Sequence, residues 1–461
     1  MSGRGNTSPR GRTLSARELA MNVLTQVEQE GAYSNLLLNT ALQKASLEKG
    51  DAGLATELVY GTISRLNTLD YFLDRFVKKG TAKLQPWVRA LLRLSLYQIV
   101  YLDRIPEHAV VSEAVNLAKR RGHQGISGMV NGVLRNILRQ KDELVVPDNL
   151  PAADRISLRH SHPKWLVERW IEQYGEDTAE AICEANNEPP AVSVRVNTTM
   201  ISRDGMLEEM INSGLEAVPS QLSPYGIIVR SGGNMAHTDW YRDGMISIQD
   251  ESSMLVAEAV HPAPGMRVLD CCAAPGGKTA HMGEIMKDEG SVIANDLHSH
   301  KQKLISEQAE RLGLGSIMTV TGNALDLAKN YEPESFDRIL LDAPCSGLGV
   351  IRRKPDLKWV KTPEDIQEIA KLQGELLQSV SGLVRPGGVL VYSTCTIEPG
   401  ENEGTVAAFL ADNPNFEVAD DEAGSMSRAL KNALPRGGGV QILPQHFHSD
   451  GFYIVRLRRL S

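Results

Sequence analysis

The sequence predicts a multidomain protein: an all-α helical bundle, then a small α+β module, then a doubly wound α/β domain. Apolar residues recur at helical spacing from Ala16 to about Arg139, with almost no strand signal. Strand and helix patterns alternate over about 191–230, and buried strands alternate regularly with helices from about Met245. The predicted segments are a disordered tail, the bundle, a linker with the module, and the α/β domain, at 1–12, 13–142, 143–244 and 245–461.

The bundle is predicted from repeated amphipathic sets, of which Leu19, Ala20, Val23, Leu24 and Val27 form the first. Charge is divided unevenly along the chain. Residues 1–141 carry a net charge of +9 and the remaining 320 residues a net charge of −17. This asymmetry indicates that the bundle meets a polyanion.

The basic residues of the bundle are grouped at one helix end and on one helix face. These candidates for anion contact are Lys119, Arg120, Arg121, Arg135 and Arg139. The alternative is that they are solvated helix faces, since basic residues at a helix end also favour the helix dipole.

Composition excludes several classes of protein. No run of 18 apolar residues occurs, and the basic start lacks the apolar core of a secretory signal, so we expect a cytoplasmic protein. The five cysteines match no metal-binding spacing, so we expect reduced thiols and no metal.

The α/β domain begins with a strand at 266–270 that runs into a glycine-rich turn, Asp270–Thr279. The turn lacks the glycine pattern of phosphate-cradling and dinucleotide-binding loops. Asp296 follows the second strand, twenty residues after Gly276, where a carboxylate can bind ribose hydroxyls. Together the turn and the acid predict an adenosyl ligand.

Three reactive side chains follow two later strands, which are predicted at 336–341 and 389–393. Asp342 and Cys345 follow the first of these strands, and Cys395 follows the second. Ligands of open α/β sheets bind at the carboxyl ends of the strands, so we expect these groups beside the cofactor loop. Cys183, Cys271 and Cys272 are expected to be packing residues. Spacing does not decide which of Cys345 and Cys395 is the nucleophile.

The motifs Asp270–Thr279, Asp342–Gly347 and Ser393–Thr396 resemble those of the Nop/Sun family of RNA cytosine-5 methyltransferases. The bundle resembles the NusB fold, which binds RNA, in four segments: Leu54–Gly61, Arg93–Gln98, Leu102–Pro106 and Asn131–Asn136. A NusB-like domain ahead of a Rossmann-like methyltransferase domain is the arrangement of the bacterial Sun (Fmu) branch of that family. That branch methylates 16S, or small-subunit, ribosomal RNA.

The resemblance implies that Cys395 is the nucleophile, that Cys345 assists product release, and that Asp342 contacts the substrate and cofactor. It implies S-adenosylmethionine as cofactor. The contacts would come from Asp296, Asp342 and the loop Cys272, Ala273, Ala274, Pro275, Gly276, Gly277 and Lys278. The chain departs from the family pattern at Asn323, where an aspartate is usual. An asparagine oxygen can still accept a hydrogen bond, so Asn323 is kept as a cofactor contact.

A cysteine nucleophile suits this chemistry because carbon 5 of cytosine is a poor nucleophile until a thiolate adds to carbon 6. Arg352, Arg353 and Lys354, shortly after Cys345, are expected to hold substrate phosphate. We expect a monomer that acts on small-subunit ribosomal RNA, free or in an early particle. Transfer RNA or large-subunit RNA is the alternative substrate, and an RNA-binding protein with an inactive methyltransferase domain is the alternative function. A DNA methyltransferase is disfavoured by the resemblance of the bundle to an RNA-binding fold.

Overall fold

The structure is a computed structural model that describes residues 14–45, 47–231, 233–419 and 433–460. The expected tail over residues 1–12 lies outside the described residues. The chain forms two compact units. The helical unit ends at Asn187 and also contains Lys354–Val360, and the sheet unit contains Glu188–Arg353 and the chain from Lys361 onward.

The helices, apart from short 3-10 turns, are α1 (Ala16–Glu30), α2 (Ser34–Lys44), α3 (Lys49–Ser64), α4 (Leu66–Leu73), α5 (Pro86–Tyr101), α6 (Glu107–Arg121), α7 (Gln124–Arg139), α8 (Ala152–His160), α9 (Lys164–Tyr174), α10 (Glu176–Ala185), α11 (Arg203–Asn212), α12 (Asp239–Arg242), α13 (Glu251–Val260), α14 (Gly277–Ile285), α15 (Ser299–Arg311), α16 (Leu327–Asn330), α17 (Leu357–Val360), α18 (Pro363–Ser381), α19 (Glu403–Asp412) and α20 (Pro444–Phe447). The strands are β1 (Val192–Val196), β2 (Ala217–Pro219), β3 (Gly226–Val229), β4 (Ile246–Ile248), β5 (Arg267–Asp270), β6 (Ser291–Asp296), β7 (Ile317–Thr321), β8 (Phe336–Asp342), β9 (Val384–Thr394), β10 (Phe416–Val418), β11 (Leu434–Arg436), β12 (Gly439–Ile442) and β13 (Phe452–Arg459). None of the described helices is both long enough and apolar enough to cross a membrane.

The helical unit begins with a well-capped helix. The Ser15 hydroxyl accepts a hydrogen bond from the Glu18 N–H at 3.2 Å, and Gly31 ends α1 in the left-handed region with φ +63°. The apolar positions of α1 predicted from the sequence, among them Leu19 and Val23, are buried in the common core of α1–α7. The all-α bundle is confirmed.

Helices α8–α10 belong to the helical unit, whereas the sequence suggested a boundary at residue 143. Side chains of α4 hold α8 directly: the Thr68 hydroxyl donates to the Leu158 carbonyl at 2.6 Å, and the Asn67 amide donates to the Ser157 hydroxyl at 3.2 Å. These hydrogen bonds join residues about ninety positions apart, which periodicity along the chain does not reveal.

The helical unit also includes Lys354–Val360, which the sequence assigned to the α/β domain. Asp356 accepts a hydrogen bond from the Ser34 hydroxyl at 2.6 Å, and the Trp359 indole donates to the Ile63 carbonyl at 2.8 Å. The Lys358 ammonium, which is fully buried, donates to the Ser64 carbonyl at 2.9 Å. Burial and polar pairing together fix this segment in the helical unit.

The first sheet of the sheet unit is antiparallel, with strand order β2-β3-β1-β4. Its fourth strand lies beyond the expected end of the module at residue 244. Arg195 on β1 is fully buried and forms a bidentate ion pair with Glu284 on α14, with N–O distances of 2.9 and 2.8 Å. This pair ties the small sheet to the helix that follows the glycine-rich loop.

The second sheet has nine strands, in the order β11-β12-β13-β9-β8-β5-β6-β7, with β10 paired to β13. Strands β5–β9 are parallel, and each overlaps one of the five strands that the sequence predicts, at 266–270, 291–295, 317–321, 336–341 and 389–393. Except in the edge strand β7, their central residues, such as Leu269 and Ile339, are buried, as expected where helices cover both faces of a sheet. The antiparallel strands β10–β13 were not predicted. The carboxyl ends of β5, β8 and β9 carry the three predicted motifs.

Candidate active site

The loop between β5 and α14 has the backbone shape of a ligand-binding turn. Gly276 has φ +102°, and a Cβ at this position would lie 3.2 Å from the Ile305 Cα, so a larger residue would be strained and crowded. The loop is held from behind, because the Arg195 guanidinium donates to the Gly277 carbonyl at 2.8 Å. Sequence reasoning missed this role of Arg195, since the contact spans 82 residues.

Asp296 lies at the end of β6, beside this loop. Its carboxylate accepts hydrogen bonds from the Ala274 and His298 N–H groups, each at 3.2 Å. The neighbouring Asn295 donates to the Cys271 carbonyl at 2.9 Å and to the Gly322 carbonyl at 3.1 Å, so it ties the loops after β5 and β7 together. The glycine cradle and this fixed carboxylate fit a nucleoside ligand.

Asp270, the last residue of β5, is fully buried, and its carboxylate accepts a hydrogen bond from the Thr279 hydroxyl at 2.6 Å. Burial raises the pKa of Asp270 to about 7, although the hydrogen bond from Thr279 opposes the shift. This contact fixes the first turn of α14 against the end of the strand.

A carboxylate and an ammonium group meet at the ends of β5 and β8. The Lys278 ammonium lies 2.5 Å from Asp342 Oδ2, and the Ser393 hydroxyl donates to Asp342 Oδ1 at 2.8 Å. Burial lowers the pKa of Lys278, but the negative charges of Asp342 and, more weakly, of Cys395 outweigh it and leave this pKa raised. Lys278 is therefore a cation whose charge interacts with the Asp342 carboxylate and with the Cys395 sulfur.

The two cysteines predicted at strand ends are in direct contact. Their Sγ atoms lie 3.3 Å apart, and neither cysteine forms a disulfide. The hydrogen bond to Cys395 is the largest cause of a pKa of Cys345 well above its ordinary value, and burial adds to the shift. The contact thus disfavours the Cys345 thiolate, and either sulfur of the pair can be the hydrogen-bond donor.

A buried carboxylate, Glu401, holds both cysteine-bearing loops. It accepts hydrogen bonds from the Ser346 N–H at 2.9 Å and from the Ser346 and Thr396 hydroxyls, the latter at 3.2 Å. Asn402 also fixes the loop that carries Cys395. Its side-chain oxygen accepts a hydrogen bond from the Thr394 hydroxyl at 2.6 Å, and its NH₂ group donates to the Thr396 carbonyl at 3.1 Å. Glu401 is fully buried, and burial raises its pKa. Sequence reasoning missed both residues.

The remaining cysteines are placed differently. Cys183 and Cys271 are fully buried, and burial raises the pKa of each thiol. Burial and the Asp270 carboxylate also raise the pKa of Cys272, within the cofactor loop. All three thiols thus stay protonated, as expected of packing residues. Asn323 is exposed, and its side-chain oxygen accepts a hydrogen bond from the Leu325 N–H at 3.1 Å, which caps the turn after β7.

The basic cluster after Cys345 is not the phosphate clamp that the sequence suggested. Arg352 is buried, and its guanidinium donates to the Pro444 carbonyl at 2.9 Å and to the His448 carbonyl. Arg353 pairs with Asp250 at 2.7 Å and with Asp450 at 2.8 Å. Both arginines brace the sheet unit, so this expectation is corrected to Lys354, which is exposed.

The basic residues of the helical unit fall into two sets. Arg120 pairs with Glu18 at 3.4 Å, and Arg121 contacts the Asn22 side chain and lies 5.7 Å from the Trp87 ring centroid. The Arg139 guanidinium donates a hydrogen bond to the Asn136 side-chain oxygen. Lys119 and Arg135, by contrast, line one open groove between α6 and α7.

Comparisons with known proteins agree with this architecture. The family model "16S rRNA methyltransferase RsmB/F" matches residues 257–458, a NusB family model matches residues 14–139, and an RsmF/B-like ferredoxin-like domain matches residues 162–236. The chain is 45% identical over 455 residues to a probable ribosomal RNA small subunit methyltransferase B of Bacillus subtilis, covering 96% of this chain and 99% of that one. It is 36% identical to a Synechocystis protein of the same description, covering 97% and 100%.

Among solved structures, the fold is similar to that of the protein PH0851, with a TM-score of 0.80 and 25% identity, covering 98% of this chain and 100% of that one. The similarity therefore extends over the NusB-like helical domain, the ferredoxin-like module and the Rossmann-like domain together.

Proposed function

The chain belongs to the RsmB/F family of ribosomal RNA small subunit methyltransferases, and on that premise we propose that it methylates carbon 5 of a cytosine in 16S ribosomal RNA. The observation that carries this proposal is the contact between the Cys345 and Cys395 sulfurs at 3.3 Å. Methyl transfer to an exocyclic oxygen or nitrogen requires no thiol pair. Transfer to carbon 5 requires a nucleophile that adds to the ring and later leaves.

S-adenosylmethionine is the proposed cofactor, and it supplies an electrophilic methyl group when bound. The cradle at Gly276 and the neighbouring residues 272–278 would hold it, with Asp296 accepting hydrogen bonds from the ribose hydroxyls. Asp342 is a further contact, and exposed Asn323 is a weaker one because its oxygen already caps a turn.

Cys395 is the proposed nucleophile. In the proposed reactive form the Cys345 thiol donates to the Cys395 sulfur, and this hydrogen bond and the positive charge of Lys278 stabilise a Cys395 thiolate. The thiolate adds to carbon 6 of cytosine, and the electron pair of the C5–C6 double bond moves to carbon 5 and into the ring. Carbon 5 thereby becomes able to accept a methyl group.

The Lys278–Asp342 pair is proposed to stabilise the negative charge that develops on the cytosine ring. As the thiolate adds, negative charge develops towards ring N3, and a proton passed from the Lys278 ammonium through the Asp342 carboxylate stabilises it there. Lys278 and the Ser393 hydroxyl hold that carboxyl from the other side, so its position does not depend on the substrate.

Cys345 is proposed to assist release of the product. In this step the carbon 5 proton is lost to solvent, the C5–C6 double bond re-forms and the bond between carbon 6 and sulfur breaks. Negative charge then returns to the Cys395 sulfur, where the Cys345 thiol can donate a hydrogen bond to it. Without that donor, the covalent enzyme–RNA complex would persist.

The helical unit is proposed to bind the RNA, as its net positive sequence suggests, and the protein is proposed to act as a cytoplasmic monomer. Its proposed RNA contacts are Lys119, Arg120, Arg121, Arg135, Arg139 and Lys354.

Bisulfite sequencing of total RNA from cells with and without the gene tests the proposal. We expect one 5-methylcytosine in small-subunit RNA to disappear without the gene and to return with the wild-type gene, but not with a Cys395→Ala gene. A lost mark in transfer RNA or large-subunit RNA would refute the substrate. An unchanged set of 5-methylcytosines in all RNA classes would refute the reaction.

A further inference from the structure

Helices α6 and α7 of the helical unit enclose an open groove of about 700 Å³. Its lining includes Gly128 and five polar residues, Asn116, Lys119, Gln124, Asn131 and Arg135. Over these two helices, which the structure describes in full, no aspartate or glutamate lines the groove. It is therefore a basic and amide-rich surface on a chain whose net charge is −8.

The two cations of the groove are available to a ligand. Lys119 and Arg135 are exposed, and neither pairs with a carboxylate in the described part of the chain. The Arg135 Nε–H donates to the Asn131 side-chain oxygen at 3.0 Å, which holds the guanidinium beside the groove and leaves its terminal N–H groups for an anion. By contrast, Arg120 at the end of α6 is already paired with Glu18. The groove thus concentrates uncompensated positive charge, which favours a phosphate backbone.

The rest of the lining indicates single-stranded RNA rather than a duplex. Three amide side chains, those of Asn116, Gln124 and Asn131, offer both donors and acceptors, as base edges require. Val111 and Val115 supply apolar surface against which an unstacked base can pack. An A-form duplex conceals its base edges in a deep major groove, whereas single strands expose them.

We propose that the groove between α6 and α7 binds a single-stranded segment of the substrate RNA. Lys119 and Arg135 contact phosphates, and the three amides contact bases. This rests on the proposed function only in taking RNA as the substrate, and its test measures binding without methyl transfer.

Two glycines of α7 provide a matched test. Gly128 lines the groove and Gly132 does not, and a Cβ built at either position has open space within 4 Å. We expect Gly128→Phe to fill the groove and weaken binding of the full-length protein to a fluorescent single-stranded 16S rRNA fragment roughly tenfold, the loss of about one base contact. Gly132→Phe, the same change one turn away, should bind like the wild type. Equal affinities for the two variants, measured by anisotropy, would overturn the proposal.

Charge neutralisation gives an independent readout if Gly128→Phe folds poorly. Arg135→Ala should flatten the dependence of log K on log salt by about 0.7, the value for one phosphate contact on a single strand. Lys164→Ala, which removes a lysine of the helical unit that pairs with Asp154 and lies outside the groove lining, should change the slope less. Equal slopes for the two variants would contradict the assignment.

A duplex of the same sequence separates the two forms of RNA. We expect Gly128→Phe to weaken single-strand binding and leave duplex binding unchanged, and an equal loss on both would overturn the single-strand assignment. Failure of this proposal is distinct from failure of the proposed function. Normal cytosine methylation with unaltered Gly128→Phe binding would refute the groove alone, whereas reduced binding without any 5-methylcytosine would refute the reaction alone.

Discussion

The thiol site of the sheet unit and the α6–α7 groove of the helical unit hold their polar side chains in opposite ways. In the thiol site, Cys345 contacts Cys395 and Lys278 contacts Asp342, and Glu401 braces both cysteine-bearing loops from within the protein. In the groove, the cations are exposed and have no carboxylate partner among the residues that the structure describes. A site for chemistry is preorganised by internal contacts, whereas a surface for a polyanion keeps its charge uncompensated.

The largest expected effect is on the braced site. Lys278→Met removes the cation beside Asp342 and Cys395, so we expect kcat to fall by about 10²–10³-fold, as when one preorganised electrostatic group is lost. Because the ammonium favours the thiolate, the acid limb of the pH–rate profile should also move to higher pH. Lys329→Met removes an exposed lysine paired with Asp326 and should leave both unchanged. An unmoved profile in Lys278→Met would argue against its role.

Glu401→Gln tests whether the brace matters. A glutamine keeps one acceptor oxygen but turns an NH₂ group towards donors at Ser346 and Thr396, which costs about 1–3 kcal/mol for an unsatisfied buried group. We expect a lower free energy of unfolding in urea and a kcat reduced by about 10²-fold, because the two sulfurs lose their fixed separation. Glu375→Gln, an exposed i,i+4 partner of Lys371, is the control. Wild-type kcat in Glu401→Gln would show that the loops need no brace.

Asp296→Ala probes the cofactor side of the same rim. Loss of the carboxylate leaves ribose hydroxyls and the Ala274 N–H without their acceptor, so S-adenosylmethionine binding should weaken by about 1–3 kcal/mol. Calorimetric titration measures this directly, with Asp204→Ala, which removes an exposed carboxylate of α11, as the control. Unchanged affinity in Asp296→Ala would remove this acid from the cofactor site.

The smallest expected effect on RNA binding is that of Arg352, which the sequence placed at the substrate phosphate but which is buried. Arg352→Met strands the Pro444 and His448 carbonyls and should lower the free energy of unfolding by about 1–3 kcal/mol. Its RNA affinity and salt dependence should match the wild type. Lys354→Met, at an exposed position, should instead keep stability and flatten the salt slope by about 0.7. A flattened slope in Arg352→Met would return it to the RNA surface.

The parallel core of the large sheet was predictable because four of its five strands, all but β7, are largely buried apolar runs, and three of these four end in a distinctive motif. The same rule places Asp342, Cys345 and Cys395 at strand ends, and the structure brings the two cysteines together. Strands β10–β12 were not predicted, because runs of only three or four residues carry little pattern. Strand β13 was missed although it is eight residues long and largely buried.

The roles of residues whose contacts lie far away in the sequence could not be predicted from the sequence. Glu401 is a typical surface residue by type, and its role arises only because folding places it beside Ser346, 55 positions away. The cluster Arg352–Lys354 was misread for the same reason, since carbonyls 92 and 96 positions later satisfy Arg352. Burial of a charged group depends on tertiary partners, which local composition does not encode.

In the proposed mechanism Cys395 attacks carbon 6 of cytosine, and Cys345 assists release of the methylated RNA. Each is changed to alanine, each variant is incubated with S-adenosylmethionine and substrate RNA, and the products are separated on a denaturing gel. We predict that Cys345→Ala accumulates a covalent enzyme–RNA complex on ordinary RNA, because addition and methyl transfer proceed but elimination is slow. Cys395→Ala should form no complex, even with RNA containing 5-fluorocytosine, which traps a competent nucleophile because fluorine does not leave as a proton does. A complex in Cys395→Ala with none in Cys345→Ala would contradict the account and make Cys345 the nucleophile.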